Sequence, residues 1–435
     1  MEITSTSPGT PSSANPVALP VARDLTQTLD ILTHQAQAEL GNTTQSLFFF
    51  GDGLQRAVVD GVFSLFTPHT WAPANILRLG YQGVRQAAQL VQALLPGQAI
   101  LAWHELRNKL EVFTSVKNLS ADLGLPAGEF IPLPQMVGKA YGVSPFLALW
   151  AVEGVGHDYT DRYWQHKGVP SGLLSAEQAP VPEKSLLMLH AGMGLSFADR
   201  LLGDLTSEAT PDQVRSVVEY FLFLCRSNSR PGYMGAALES LGLQTRVFYS
   251  DLLHRVDQQL RLTAPEFLGF FWHGAGRGLY FSREYFLPVL RSVWCGVDEE
   301  ARNTPDRLSS MAGLNWAVTL VNMRQPEIIQ NMLRSPIESD LIQGFTNGAV
   351  SSVIMREDTT PGEPFTSDFY QNVPDAGQPF LAAEWARLIA NPCRVGLQTY
   401  YPVLRECDAP DQVFRYQDLS ALISNLKARQ AGGGN

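Results

Sequence analysis

The chain has 435 residues, of which 45% are hydrophobic and 17% are charged, and its formal net charge is −10. This length allows a large core and two or three domains. The negative charge and the lack of a Lys/Arg-rich tract argue against nucleic acid as a partner, because binding phosphates requires clustered basic residues. No apolar run in the sequence is long enough to span a membrane.

Both ends of the chain are predicted to be disordered. Residues 1–22 are rich in Ser, Thr and Pro and lack the basic and apolar regions of a signal peptide, and residues 430–435 are rich in Gly. The four cysteines show no paired spacing typical of a zinc site or a dense disulfide framework. We therefore expect reduced thiols in a cytoplasmic protein.

The chain between these ends is predicted to be mainly α, because apolar residues recur at helical spacing and strand patterns are few. Thr210 followed by Pro211 predicts a helix start. Thr263 and Ser335, each closely followed by proline, predict two more. We divide this part into an N-terminal helical region (23–144), two central helical units (145–250 and 265–365) and a C-terminal helical region (366–429).

The two central units carry similar motifs. "EGVGHDY" from Glu153 resembles "HGAGRGLY" from His273, with their first glycines 120 residues apart. "AGMG" at 191–194 resembles "AGLN" at 312–315, with an offset of 121. The two pairs of motifs are separated by almost the same number of residues. This predicts an internally duplicated helical domain packed about a pseudo-two-fold axis. The duplication would place Gly154 over Gly274 and Gly192 over Gly313.

The glycine-rich segment "FFWHGAGRGLYF" (270–281) does not match a dinucleotide-binding fingerprint, and no βαβ pattern surrounds it. A glycine inside a helix costs about 1 kcal/mol relative to alanine, so several glycines indicate a compensating gain. Close helix packing supplies one such gain, and room for a ligand supplies another. We expect this segment to be a helix that lies close to "AVEGVGHDY" (151–159).

A few polar residues interrupt these apolar segments. A buried charge is costly unless it is paired, so we predict that Glu153 pairs with Arg277. The pair is either structural or part of an acid–base site, in which Glu153 is the acid/base and His190 and His273 relay protons. Arg277 would then tune the pKa of Glu153 or bind an anionic group. The residues expected to bind substrate are Trp150, Phe270, Phe271, Trp272, Tyr280 and Gln343.

Asp158 and Asp161 form an i, i+3 pair on one helix face. Such a pair is either exposed to solvent or binds Mg²⁺ in front of a diphosphate. The sequence contains no zinc or haem motif and no nucleophile elbow. We therefore predict no cofactor, except for Mg²⁺ if these two aspartates bind a metal.

Several motifs follow one another in a characteristic order between about residues 150 and 360. The order resembles that of a bacterial family of unknown function, domain of unknown function seventeen-oh-two, which is found with enediyne and other polyketide gene clusters. Trp272-His273 stands where the family has Asp-Gln, Pro231 replaces an acidic residue, and Arg200 lies one place later than the family arginine. The matching positions are Glu153-Gly154; His190, Gly192 and Gly194; Gly232-Tyr233; Gly274, Gly276, Arg277, Leu279 and Phe281; Gly313-Leu314; and Gln343-Gly344.

The resemblance implies a role in specialised metabolism. With the polar residues above, it predicts a protein that binds a long apolar molecule, such as a polyene or polyprenyl chain, and catalyses its acid–base cyclisation or isomerisation. One alternative is a non-catalytic binding or scaffold protein of a polyketide synthase complex, which predicts no convergence of Glu153, His190 and Arg277. The other is a Mg²⁺-dependent prenyl cyclase that uses Asp158 and Asp161.

Overall fold

The computed structural model describes residues 99–117, 123–126, 129–177, 179–282, 285, 292–375 and 377–432. Within these ranges the regular structure is helical throughout, which confirms the mainly α prediction. The predicted disordered segment 1–22 and most of the region 23–144 lie outside the described residues. At the other end, the last helix continues to Gly432, so it includes residues 430–432 of the tail that was expected to be disordered.

The α-helices are numbered here in chain order, and short 3₁₀ turns connect several of them. They are α1 (Ala99–Lys117), α2 (Leu133–Tyr141), α3 (Ala148–Lys167), α4 (Leu186–Leu202), α5 (Pro211–Asn228), α6 (Met234–Phe248), α7 (Leu253–Thr263), α8 (Leu268–Phe281), α9 (Ser292–Glu300), α10 (Thr304–Val321), α11 (Pro326–Met332), α12 (Ile342–Thr359), α13 (Phe365–Gln371), α14 (Pro379–Trp385), α15 (Asn391–Val395), α16 (Tyr401–Glu406) and α17 (Leu419–Gly432).

One of the three predicted helix starts is correct. The Thr210 side chain accepts a hydrogen bond from the Gln213 amide, and the Gln213 side-chain oxygen accepts one from the Thr210 amide, which forms a capping box at α5. Thr263 instead ends α7, and α8 begins only after a 3₁₀ turn. Ser335 lies in the loop before α12. The residue before a proline favours extended backbone, so Ser-Pro fits a loop as well as a helix start.

The longest helices pack in sequence along the chain. Helix α3 packs on α1 and α4, α4 on α6, α6 on α8, α8 on α10, and α10 on α12. Helix α12 then returns to the start of α3, where the buried Arg356 guanidinium donates to the Phe146 carbonyl at 2.8 and 2.9 Å. Helices α5 and α7 pack against each other.

Glycines lie at the closest points between the neighbouring helices. A Cβ on Gly192 of α4 would lie 2.7 Å from the His157 amide of α3, and a Cβ on Gly274 of α8 would lie 2.8 Å from the Leu243 amide of α6. Gly276 of α8 contacts the Ser310 backbone of α10, and Gly313 of α10 contacts the His273 backbone of α8 in return. Each of these crossings brings two backbones together without an intervening side chain.

The predicted helix at 270–281 is confirmed as most of α8, but its expected neighbour is not. Its glycines face α6 and α10 rather than the "AVEGVGHDY" segment of α3. Gly192 packs on the Glu153 carbonyl and Gly313 packs on the His273 carbonyl, so the two contacts use matching positions of the suggested repeat. The duplication and its pseudo-two-fold axis stay predictions.

The C-terminal helices cover one side of this core. Helices α14, α15 and α16 follow one another through single π-helical turns, and Pro392 and Pro402 stand just after those turns. A proline cannot donate the α-helical hydrogen bond, which favours such a local change of register. The following 3₁₀ turn, Pro410–Phe414, packs Phe414 against the core. None of the described helices is long and apolar enough to cross a membrane.

Candidate functional site

A charged cluster lies where α3, α6 and α8 meet. The Arg277 Nη2 donates to both carboxylate oxygens of Glu153, at 2.6 and 2.9 Å, and Arg277 Nη1 donates to Glu239 Oε2 at 3.3 Å. Glu153 and Glu239 are fully buried, and Arg277 is 3% exposed. The structure therefore contains the predicted Glu153–Arg277 pair, with a second carboxylate that was not predicted.

Burial and neighbouring charges shift the pKa of Arg277 in opposite directions. Burial alone lowers the pKa of Arg277, but the charges of Glu153 and Glu239 and their hydrogen bonds outweigh it and raise that pKa above its usual value. The guanidinium is therefore permanently charged and holds the two carboxylates at fixed positions.

His273 extends the cluster by one helical turn, because it lies four residues before Arg277 on α8. Its Nδ1 is 3.3 Å from Glu239 Oε1, whereas its Nε2 is buried without a hydrogen-bond partner. Burial lowers the pKa of His273, and the attraction of Glu239 offsets this only in part. The imidazole is thus held neutral with Nδ1–H donating to Glu239, which leaves Nε2 as an acceptor.

Two tryptophans enclose the cluster. The Arg277 guanidinium lies over the Trp316 ring at 4.9 Å, and the rings of Trp150 and Trp316 meet edge to face at 6.4 Å. Both indole N–H groups are buried without a hydrogen-bond partner. Unpaired buried donors are uncommon in proteins, so the region around the cluster has unused capacity to bind polar atoms.

A cavity of about 60 Å³ opens beside the Glu153–Arg277 pair, between α1, α3, α4, α6 and α8. Its polar lining residues are Glu153, Arg277 and Gln244, and the Gln244 Oε1 is buried without a partner. Its apolar lining residues are Val112, Phe113, Val116, Trp150, Leu195, Leu243, Val247, Phe248 and Phe281. The arrangement is an apolar space with a few convergent polar groups, which is typical of small-molecule sites.

The structure does not bring His190 to this cluster. Its Nδ1 contacts the Leu186 carbonyl at 2.7 Å, its Nε2 accepts from the Arg230 amide at 3.0 Å, and its ring stacks on Tyr233. Burial lowers the pKa of His190 to about 4. Both ring nitrogens are used to hold backbone, so the expected role as a proton relay next to Glu153 does not fit the geometry.

Most of the aromatic residues expected in the pocket also lie elsewhere. Trp150 lines the cavity, but the Trp272 Nε1 donates to Asp257 on α7 at 2.8 Å, and Tyr280 accepts from Asn322 at 2.7 Å. The Phe270 ring packs on Gly235 of α6, and the Phe271 ring meets the Trp272 ring edge to face, so neither lines the cavity. Successive residues on a helix point about 100° apart, so a run of neighbouring aromatics cannot face one cavity.

Gln343 and the two predicted metal-binding aspartates are also engaged away from the cavity. Gln343 is exposed at the start of α12 and accepts from the Tyr416 hydroxyl at 2.8 Å. Asp158 accepts from Arg162 at 2.8 Å, and Asp161 accepts from the Ser196 hydroxyl at 2.7 Å. Across the described residues, no three His, Cys, Asp or Glu side chains converge on a point that a metal ion could occupy.

Glu239, Gln244 and Trp316 are the candidate functional residues that the sequence analysis missed. A signal for Glu239 was present, because it is the single charged residue in the apolar and small-residue run "GYMGAALESLGL". Gln244 and Trp316 carry no comparable signal, because a single amide or indole in a helix is ordinary.

A second buried polar group lies at the end of α12. Asp358 Oδ1 accepts from the Tyr401 hydroxyl at 2.9 Å and is 3.3 Å from Arg405 Nη1, whereas Oδ2 has no partner. Arg405 also donates to the Tyr233 hydroxyl at 3.0 Å and contacts Glu183 at 2.6 Å. Burial raises the pKa of Asp358 to about 6. These contacts link α16 to α12 and to Tyr233 at the start of α6. The group does not line the cavity described above.

Comparison of the chain with protein-family models, with curated proteins and with solved structures found no match. The resemblance described above therefore depends on the order of the motifs alone. Of the positions that carry it, Glu153 and Arg277 meet at the cavity, and Gly192, Gly274, Gly276 and Gly313 form helix crossings.

Proposed function

We propose that the chain binds an apolar molecule in the cavity beside Glu153 and Arg277 and catalyses a proton-transfer isomerisation or cyclisation of it, as a step of specialised-metabolite biosynthesis. The observation that carries the proposal is the position of a buried, charge-paired carboxylate in the wall of an apolar cavity. The apolar wall excludes water, so this carboxylate can reach a bound substrate without competition from solvent.

The size of the cavity limits what it encloses. About 60 Å³ holds a few atoms, whereas pockets that enclose a whole drug-sized ligand measure roughly 300–1,000 Å³. We therefore propose that a small apolar molecule, or only the reacting end of a polyene or polyprenyl chain, occupies this space. Gln244 Oε1 would accept a hydrogen bond from a hydroxyl group at that end.

The residues of the cluster have distinct parts in the proposed reaction. Glu153 removes a proton from one carbon of the substrate and returns a proton to another, so the double bond moves and no co-reactant is needed. Arg277 positions Glu153 by donating to both of its carboxylate oxygens. Glu239 accepts from the other terminal nitrogen of Arg277 and contacts His273; neither Glu239 nor His273 lines the cavity, and both act as positioning residues.

A non-catalytic binding protein is the second candidate, and two observations favour it. His190 does not converge with Glu153 and Arg277, as this candidate predicts. Both oxygens of Glu153 already accept from one guanidinium nitrogen, so proton transfer must compete with a strong ion pair. In this case the same cavity would carry or present an apolar molecule, for example within a polyketide synthase complex, without changing it.

Exchange of solvent deuterium distinguishes the two candidates. The molecule that copurifies with the protein is extracted, identified by mass spectrometry, and incubated with fresh protein in D₂O. Catalysis through Glu153 predicts deuterium at carbon positions of the molecule with the native chain and at least about 100-fold slower incorporation with Glu153→Gln. Equal incorporation with both proteins, or none with the native chain, would reject catalysis by Glu153.

A further inference from the structure

The exposed side of α5 carries a regular stripe of side chains. Asp212, Arg215, Glu219, Phe223 and Arg226 are all exposed, and their spacing of three or four residues puts them on one face of the helix. Phe223 is 56% exposed, and its ring stacks on that of Tyr220 at 6.1 Å. We call these five residues the α5 stripe. Large apolar side chains that remain exposed in a cluster often mark an interaction surface.

The order of side chains in the α5 stripe is symmetric about Glu219. Asp212 and Arg226 each lie seven residues from it, and Arg215 and Phe223 each lie four residues from it. In an antiparallel pair of such helices related by a two-fold axis, Asp212 faces the partner subunit's Arg226, and Arg215 faces the partner subunit's Phe223. The first contact joins opposite charges, and the second places a guanidinium against an aromatic ring.

The surface next to the stripe continues the apolar patch. Leu262 at the end of α7 is 65% exposed, and the Arg226 guanidinium lies 5.6 Å from the centre of the Phe267 ring. A cleft of about 450 Å³ separates α5 from α7 and is lined by Arg215, Glu219, Leu222, Arg226, Leu262 and Thr263. This cleft is wide enough to receive an aromatic side chain from a facing helix.

We propose that the chain forms a two-fold dimer in which the α5 stripe packs antiparallel on the α5 stripe of a second copy. The charge order favours a second copy over an unrelated protein, because Asp212, Arg215, Phe223 and Arg226 each meet a complementary side chain in the inverted image of the stripe. Glu219 meets the partner subunit's Glu219 on the axis, with the Arg215 of each subunit one helical turn away. Asp212 is 3.8 Å from Arg215 on the same exposed helix, so this weak contact can be exchanged for the one across the dimer.

Sedimentation velocity of the full chain over a wide range of concentration tests the dimer. The native chain should sediment as a dimer, and Phe223→Glu should sediment as a monomer with an unchanged circular dichroism spectrum. Phe380→Glu is the matched control, because Phe380 is a similarly exposed phenylalanine on α14, and this variant should remain dimeric. A native chain that is monomeric at every concentration would overturn the proposal, and so would a dimer that survives Phe223→Glu.

A charge exchange between two variants tests the antiparallel register. Asp212→Lys alone and Arg226→Glu alone should each weaken the dimer at least tenfold, because each creates two like-charge contacts across the axis. An equal mixture of the two variants restores both contacts in the heterodimer, which should recover most of the native affinity. A mixture that associates no better than either variant alone would overturn the register, and with it the proposed pairing of the stripes.

Discussion

Replacing Gly276 with alanine should destabilise the protein strongly, although alanine is the better helix former. Gly276 lies in the middle of α8, against the Ser310 backbone in the middle of α10. A Cβ at this position would overlap the Ser310 carbonyl oxygen and lie 2.8 Å from the Ser310 Cα. The obstructing atoms belong to a helix backbone, which cannot rotate away as a flexible side chain can.

The expected size of the effect follows from these distances. Ordinary contact begins at 3.4 Å, so clearing the Ser310 carbonyl oxygen requires α8 and α10 to separate by more than an ångström along a crossing that is packed tightly on both sides. Overpacking of this kind costs about 1–3 kcal/mol or more, against an intrinsic helix gain of at most about 1 kcal/mol for alanine. We expect a net loss of about 2 kcal/mol or more in the free energy of unfolding, and a larger loss for Gly276→Leu.

Gly138 provides the matched control within the same chain. It also lies inside a helix, α2, but a Cβ there would meet no atom within 4 Å. Gly138→Ala should therefore raise the free energy of unfolding by up to about 1 kcal/mol. Urea unfolding followed by circular dichroism measures both variants. The close-packing explanation fails if Gly276→Ala is as stable as the native chain, or gains as much as Gly138→Ala.

Three further predictions concern the buried ionisable groups. Glu153→Gln should remain folded at neutral pH, because Arg277 keeps Glu239 as a counter-charge, and urea unfolding should show a loss smaller than the roughly 3–5 kcal/mol of a fully unpaired buried charge; unfolding of this variant would contradict that. The pKa of His190 is lowered from 6.5 to about 4. Its contribution to the free energy of unfolding is therefore complete above pH 6.5 and falls by about 3 kcal/mol as pH decreases through 4. The stability difference between the native chain and His190→Asn should shrink over that range, and a constant difference would contradict the assignment. The pKa of Asp358 is raised from 3.8 to about 6. Its contribution to the free energy of unfolding is therefore complete below pH 3.8 and is lost as pH rises through 6. Asp358→Asn, which stays uncharged, should gain up to about 3 kcal/mol relative to the native chain between pH 4 and 7.5, and thermal melts across this range would show no such trend if Asp358 ionises normally.

The sequence predicts the charged pair well because its signal is physical and local. Glu153 and Arg277 each interrupt an apolar run, and a charge in such a run must find a partner when the helix is buried. The same reasoning fails for His190, which interrupts a similar run. Its partners are two backbone groups, the Leu186 carbonyl and the Arg230 amide. The sequence shows that a buried polar group needs a partner, but it does not show which kind.

Contacts between helices are harder to predict than the helices themselves. The capping box at Thr210 involves residues three apart, so the sequence contains all of it. The neighbours of Gly274, Gly276 and Gly278 are Glu239, Ser310 and Arg246, each more than 30 residues away from the glycine it meets. Which helix approaches a glycine depends on the connections between all the helices. For this reason the close packing of α8 was predicted correctly, whereas its partner was not.

The central claim is that an apolar molecule occupies the cavity beside Glu153 and Arg277. Val247→Phe tests it most directly, because Val247 lines the cavity and a phenyl ring there would fill much of its volume. Val217→Phe on α5 is the matched control, since Val217 is a half-buried valine that does not line the cavity. Native mass spectrometry of the three purified proteins should show a bound apolar molecule on the native chain and on Val217→Phe, with at least tenfold lower occupancy on Val247→Phe. A folded Val247→Phe that retains the molecule at native occupancy, or a native chain that carries none, would contradict the claim.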